Sequence, residues 1–269
     1  MMISSFFKCL GVLAITLMLL LIGPIFVVSS DEIDLSTPWG KANNDRSGLA
    51  PDPATSREAI VQVYGARTFS WRGAFAVHTW IAVKAENATS YTRLEVIGWR
   101  KRRGLPVTSA TTGWPDRNWF GSRPELYYEL HGPAAEKMIP EILAAAQKYP
   151  YPDEYEAWPG PNSNTFTAFV LRRVPEMTVD LPPTAIGKDY LDSSNHFVAM
   201  APSNTGIQIS FFGLIGAIAS KAEGLEINLL GLGFGLDPDN LALRLPGIGK
   251  VGFIKDTIPL PEDTAAPES

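Results

Sequence analysis

The chain has 269 residues, 45% hydrophobic and 19% charged, with a formal net charge of −5. That balance is globular rather than disordered, and it lacks the basic stripe that nucleic-acid binding requires. The one cysteine, Cys9, and the three histidines, His78, His131 and His196, exclude disulfides, thiolate zinc sites and a cysteine nucleophile beyond residue 9. With no HExxH and no close histidine pair, they also argue against a zinc hydrolase, and no metal or cofactor is expected.

The first element is apolar. From Leu10 to Val28 run nineteen residues without a charge. A helix of that length spans about 28 Å, close to the ~30 Å hydrocarbon core of a bilayer. Lys8 precedes it, and Asp31, Glu32 and Asp34 follow it. The positive-inside rule then keeps the N-terminus inside and sends residues 31–269 outside. Residues 1–30 read as a transmembrane anchor, or as a signal peptide cleaved near Val28-Ser29-Ser30.

Residues 31–57 are rich in Pro, Asn, Asp and Ser and predict a linker. Residues 58–258 predict an α+β domain, and 259–269 a disordered tail. Strands are expected at 60–66, 75–84, 91–99 and 124–131, with 86–88 turning the second into the third. Arg100-Lys101-Arg102-Arg103 reads as a solvated turn or as a contact for anionic headgroups. Gly132-Pro133 opens a helix whose Ala135, Met138, Ile139, Ile142 and Leu143 recur at helical spacing until Tyr149-Pro150. After a loop over 151–162, a second helix starts at Ser163 and ends before Pro175, with Phe166, Phe169 and Val170 as its stripe. Beyond residue 196, glycine-punctuated apolar runs read as strands and tight turns, or as segments on a membrane surface. Gly231, Gly233 and Gly235 lack the spacing of a phosphate loop and suit bends or close backbone approach.

Three side chains are candidates for chemistry. His78 stands on the second strand beside Trp80, on the face opposite the more apolar Phe75, Val77, Thr79, Ile81 and Val83. It reads as a general base or as a half-buried structural histidine. Ser163 opens a helix, where free N–H groups and the macrodipole favour an oxyanion. Asn162, Ser163, Asn164 and Thr165 serve equally as capping residues. Glu95, on the third strand, either orients His78 across a hairpin or pairs with Arg93. His131 is a spare base at a strand-to-helix junction, and His196 has no evident partner. The tryptophans at 71, 80, 99, 114, 119 and 158 either line an aromatic cleft or fill the core. Trp80, Trp158, Asn162 and Asn164 are the binding candidates.

The order of histidine on an early strand, polar residue on the next strand and nucleophile at a later helix resembles the circularly permuted branch of the papain-like superfamily. That branch includes lecithin:retinol acyltransferase-like enzymes and permuted bacterial cell-wall and lipoprotein-modifying hydrolases. The resemblance covers roughly 75–175 and implies a permuted papain-like core, with His78, Glu95 and Ser163 in the catalytic roles. Ser163 stands where those families have cysteine, so thiolate catalysis is excluded. HTWIAVK, WPGPNSNTF and the Gly-rich last third also resemble a bacterial family of membrane-anchored proteins known only as a domain of unknown function.

Together these readings describe a single-pass protein of the bacterial inner membrane with a periplasmic domain and a Gly-rich β extension. Its expected activity is hydrolysis or acyl transfer on an ester or amide of a lipid or cell-wall substrate. The alternative is a non-catalytic envelope protein that binds lipid, glycan or a protein partner through an aromatic cleft. A third form is an enzyme that lost its cysteine and kept its binding.

Overall fold

The computed structural model describes residues 2–191 and 197–252. His196 and the expected tail at 259–269 lie outside the described residues, as do 253–258 of the expected domain. The fold is α+β, with two antiparallel sheets and few helices.

The N-terminal apolar stretch forms α1 (Met2–Leu20) and α2 (Ile22–Val28), parted at Leu21. Leu10–Val28 is long and apolar enough to cross a membrane. Its far end is held by the rest of the chain. Val27 packs with Ile33 and Ala74, against Phe75 and Ile248. Gly23 allows the closest approach, since a Cβ there would meet the Pro246 carbonyl oxygen at 2.1 Å.

The first sheet has the order β4-β3-β2-β1-β5. Its strands are β1 (Ile60–Arg67), β2 (Val77–Lys84), β3 (Thr92–Val96), β4 (Thr108–Thr112) and β5 (Glu125–His131). The expected β2–β3 hairpin is present, with Ile81 opposite Leu94 and Val83 opposite Thr92. Strand β3 is shorter than expected. The chain leaves it for a 3-10 turn over Gly98–Arg103, which holds the basic run and ends at left-handed Gly104. Strand β4 was not anticipated.

Two helices cover one face of this sheet: α3 (Pro133–Gln147) and α4 (Ser163–Leu171). Ala135, Met138, Ile139 and Ile142 of α3 meet Phe166, Phe169 and Val170 of α4 in the main core, together with Val61, Val63, Val77, Ile81 and Leu94 of the sheet. Burying each of the three α4 side chains stabilises by about 1.5–3 kcal/mol.

The expected linker at 31–57 is instead laid along the loop before β5. Ser47 N–H donates to Asp116 O, Asn118 N–H to Asp45 O and Gly121 N–H to Asn43 O. These are backbone bonds between segments without apolar periodicity, which is why the sequence pattern did not reveal them.

The last third is a seven-stranded antiparallel meander in chain order. It comprises β6 (Val198–Met200), β7 (Gly206–Phe211), β8 (Ile215–Ser220), β9 (Gly224–Leu229), β10 (Leu232–Asp237), β11 (Ala242–Leu245) and β12 (Gly249–Gly252). Its glycines do serve close approach: a Cβ on Gly235 would lie 1.9 Å from Leu225 O.

Candidate functional site

Alternation along β2 decides what meets what. Thr79 faces α4, its hydroxyl donating to Asn164 Oδ1 and Thr167 Oγ1 at 2.9 Å each. His78, one residue earlier, therefore faces away from the helices. There it joins Tyr64, Trp80 and Ala82 on the same side of the sheet, under the indole of Trp119. The two rings are stacked with centroids 3.7 Å apart and 8° between planes.

Glu95 reaches His78 as the hairpin register requires, with Oε2 3.1 Å from Nε2. Glu95 is fully buried. Its other oxygen accepts from Arg93 Nε at 2.5 Å, and the Arg117 guanidinium lies 3.9 Å away. Burial alone would raise the Glu95 carboxyl, but the hydrogen bond and charge of His78 and of Arg93 prevail and hold it at about 2. Burial also pushes His78 below the usual histidine range, against the pull of Glu95. At neutral pH the site is thus a neutral imidazole beside a carboxylate. The carboxylate can only accept, so Nε2 carries the proton and donates it.

Ser163 is not part of this site. It is the first residue of α4, on the helix side of the sheet, and no hydrogen bond joins it to His78 among the described residues. The expected Ser163–His78 pair is corrected on this point: β2 turns Thr79 toward the helix and His78 away from it. Asn162, not Ser163, caps α4. Asn162 Oδ1 accepts from the Asn164 and Thr165 N–H groups, and Thr165 Oγ1 accepts from the Asn162 N–H, a reciprocal capping box.

The other binding candidates are largely committed to structure. Asn162 Nδ2 donates to Ala157 O and Ile186 O, and Asn164 Nδ2 to Val77 O and Ile186 O. Trp80 is buried, with its indole N–H on Pro115 O at 2.8 Å, so it belongs to the core rather than to a cleft. Trp158 is half exposed but donates to Leu230 O, tying its loop to the second sheet. His131 lies at the end of β5 between Glu129 (3.1 Å) and Glu58 (3.7 Å), remote from His78 in the sheet register.

Three contributors were not foreseen: Arg117, Phe120 and Trp39. From His78 the stack continues through Trp119 to Trp99 (5.6 Å, 28°). Trp39 stands edge-on to Trp99 (6.3 Å, 79°) and stacked on Phe120 (5.5 Å, 26°). Trp39 is 52% exposed, so a mostly buried aromatic column emerges at the surface there. Trp39, Arg117 and Phe120 sit in stretches without strand or helix periodicity, and only the aromatic content of Trp39 and Phe120 signalled that region. Among the described residues, no group of His, Cys, Asp and Glu side chains is placed to hold a metal ion.

Residues 58–190 match the model of a family described as a protein of unknown function (DUF3750). No curated protein and no solved structure matches the chain. The family match takes in the five-stranded sheet, α3, α4 and the His78–Glu95 pair, and it stops before β6. Over that span the chain is similar to DUF3750, a family of unknown function.

Proposed function

We propose that this chain is a membrane-anchored protein of the bacterial envelope that binds a cell-wall glycan without turning it over. The N-terminal helix stays uncleaved as the anchor, and residues 31–269 lie in the periplasm. The observation that carries the reading is the aromatic column ending at half-exposed Trp39, on the sheet face that holds His78 but not Ser163. Sugar rings stack on aromatic faces, and Arg117 beside the column, still one-third exposed, offers planar donors for hydroxyl or carboxylate groups.

The ancestry we infer is a permuted papain-like core. An antiparallel sheet with a helix that begins at Ser163, and Glu95 beside His78, supports it, while His78 on the face opposite that helix departs from it. In this descendant the cysteine is replaced by Ser163 and the histidine is sealed beneath Trp119. The reading rests on the helix-side position of Ser163, because a serine nucleophile needs its base within hydrogen-bond reach.

The test is a titration of the detergent-solubilised full chain with soluble peptidoglycan fragments, followed by tryptophan fluorescence. The expected result is saturable binding that Trp39→Ala weakens at least tenfold and Ser163→Ala leaves unchanged. Binding indifferent to Trp39→Ala contradicts the reading. So does saturation by phospholipid micelles alone. Ester or amide turnover abolished by both Ser163→Ala and His78→Ala would restore the hydrolase.

A further inference from the structure

The seven-stranded sheet is inverted. An antiparallel sheet on a domain surface ordinarily turns its apolar side chains inward and its polar ones to water. Here Gln208, Ser210, Glu226, Asn228, Asp237 and Arg244 are buried, and Ile218, Leu232 and Ala242 are the apolar side chains buried with them. Their charges are paired inside: Glu226 pairs with Lys188 at 2.8 Å and Arg244 at 2.6 Å, and Arg244 pairs with Asp180 at 2.7 Å. Register is therefore pinned, because a slip of one residue would break every one of these pairs.

The outward face is correspondingly apolar. One row in register runs from Met200 through Ile207, Ala219, Leu225, Leu236 and Leu243 to Val251. It crosses all seven strands without a polar side chain. At strand spacing such a row is about 29 Å wide. A continuous apolar surface of that width exceeds what a soluble monomer ordinarily exposes.

The hairpins bear on what could cover it. Successive turns of a meander alternate between the two ends of the sheet. At one end lie Phe212-Gly213, Leu230-Gly231 and Pro246-Gly247, of which Phe212 is 61% exposed. At the other lie Asn204, Lys221 and Asp239, with one exposed apolar side chain, Leu241, beside Asp239. The apolar end is also where α2 is seated, through Gly23 against Pro246 and Val27 near Ile248. The end of the membrane-spanning stretch thus packs on one of the three apolar turns, at the same end of the sheet as the other two.

Building on the anchored reading above, we propose that the outward face of this sheet rests in the lipid leaflet from which the helix emerges. The turns beside α2 sink deepest, and the Lys221 turn stays in water. The occupant is the acyl-chain and headgroup boundary of a bilayer, which takes apolar faces to a depth of about 5–10 Å. A second copy of the chain would cover the face equally well, but it gives no reason for apolar turns beside the membrane helix and charged turns at the far end.

The test uses the full chain with Cys9→Ser, reconstituted in phosphatidylethanolamine–phosphatidylglycerol vesicles. Single cysteines are placed at Ile215 on the face and Lys221 at the far turn, and each is labelled with an environment-sensitive fluorophore. Lipids brominated on the acyl chain should quench the Ile215→Cys probe at least twofold and leave Lys221→Cys unchanged. Equal, weak quenching at both positions overturns the proposal. So does an Ile215→Cys probe shielded from lipid and cross-linked to a second copy. Carbonate extraction of the same vesicles reads the anchor separately: resistance without quenching refutes the sheet alone, and quenching of an extractable chain refutes the anchor alone.

Discussion

Glu95 ties the acid stability of the fold to its contacts with His78 and Arg93. Its carboxyl lies at about 2, down from 4.5, a difference on the order of 3 kcal/mol. A depressed carboxyl stabilises the fold above its unfolded value and loses that contribution as pH falls from about 4.5 toward 2. His78 is also depressed, so the folded state resists protonation and loses stability below the ordinary histidine value of 6.5. Both effects have the same sign, and urea midpoints should fall steadily from pH 7 to pH 3. Glu95→Gln should lower the midpoint at pH 7, because Arg93 loses its buried partner, and flatten the curve below pH 4.5. An unchanged slope there would assign the acid lability to other groups. At the head of α4 the roles separate cleanly. Asn162→Ala removes a cap and two further bonds and should cost about 2 kcal/mol or more. Ser163→Ala leaves both cap bonds in place and should cost less, and thermal melts of the two variants compare them directly. The hairpin contact between His78 and Glu95 was legible from strand alternation and turn length. The separation of His78 from Ser163 was legible too, since Phe166, Phe169 and Val170 seek the more apolar face of β2, and His78 is on the other one.

Among the elements, those with strong periodicity were legible and the polar or aperiodic ones were not. Strands β1, β2 and β5 and helices α3 and α4 follow their apolar patterns. Strand β4 is Thr-Ser-Ala-Thr-Thr at a sheet edge, without an apolar face to mark it. In the second sheet the alternation was visible as apolar runs, but the direction of the faces was not. That direction depends on Lys188 and Asp180, both distant in sequence, which meet Glu226 and Arg244 only in the fold. Arg244→Met should accordingly leave Glu226 and Asp180 under-compensated and cost about 3–5 kcal/mol. Chemical denaturation is the measurement. A loss below about 1 kcal/mol would mean that the buried ions do not hold the sheet to the body.

At the scale of the whole molecule, one apolar helix, one apolar sheet face and one aromatic column share a single chain. The helix end is packed on the β11–β12 turn, so in the proposed arrangement helix and sheet would meet the membrane as a unit. The aromatic column belongs to the five-stranded sheet that the family match covers. The sequence disclosed the helix through length and charge asymmetry alone, and it offered a membrane-surface reading for the last third. It could not show that the two meet, because that contact joins residues near the opposite ends of the chain. The account stands on the domain lying outside the membrane while its helix remains within it. The most direct measurement is alkaline phosphatase fused after Ser269, assayed in carbonate-washed membranes. Activity retained in the membrane pellet is the expected result. An inactive fusion, or activity released to the soluble fraction, would contradict it.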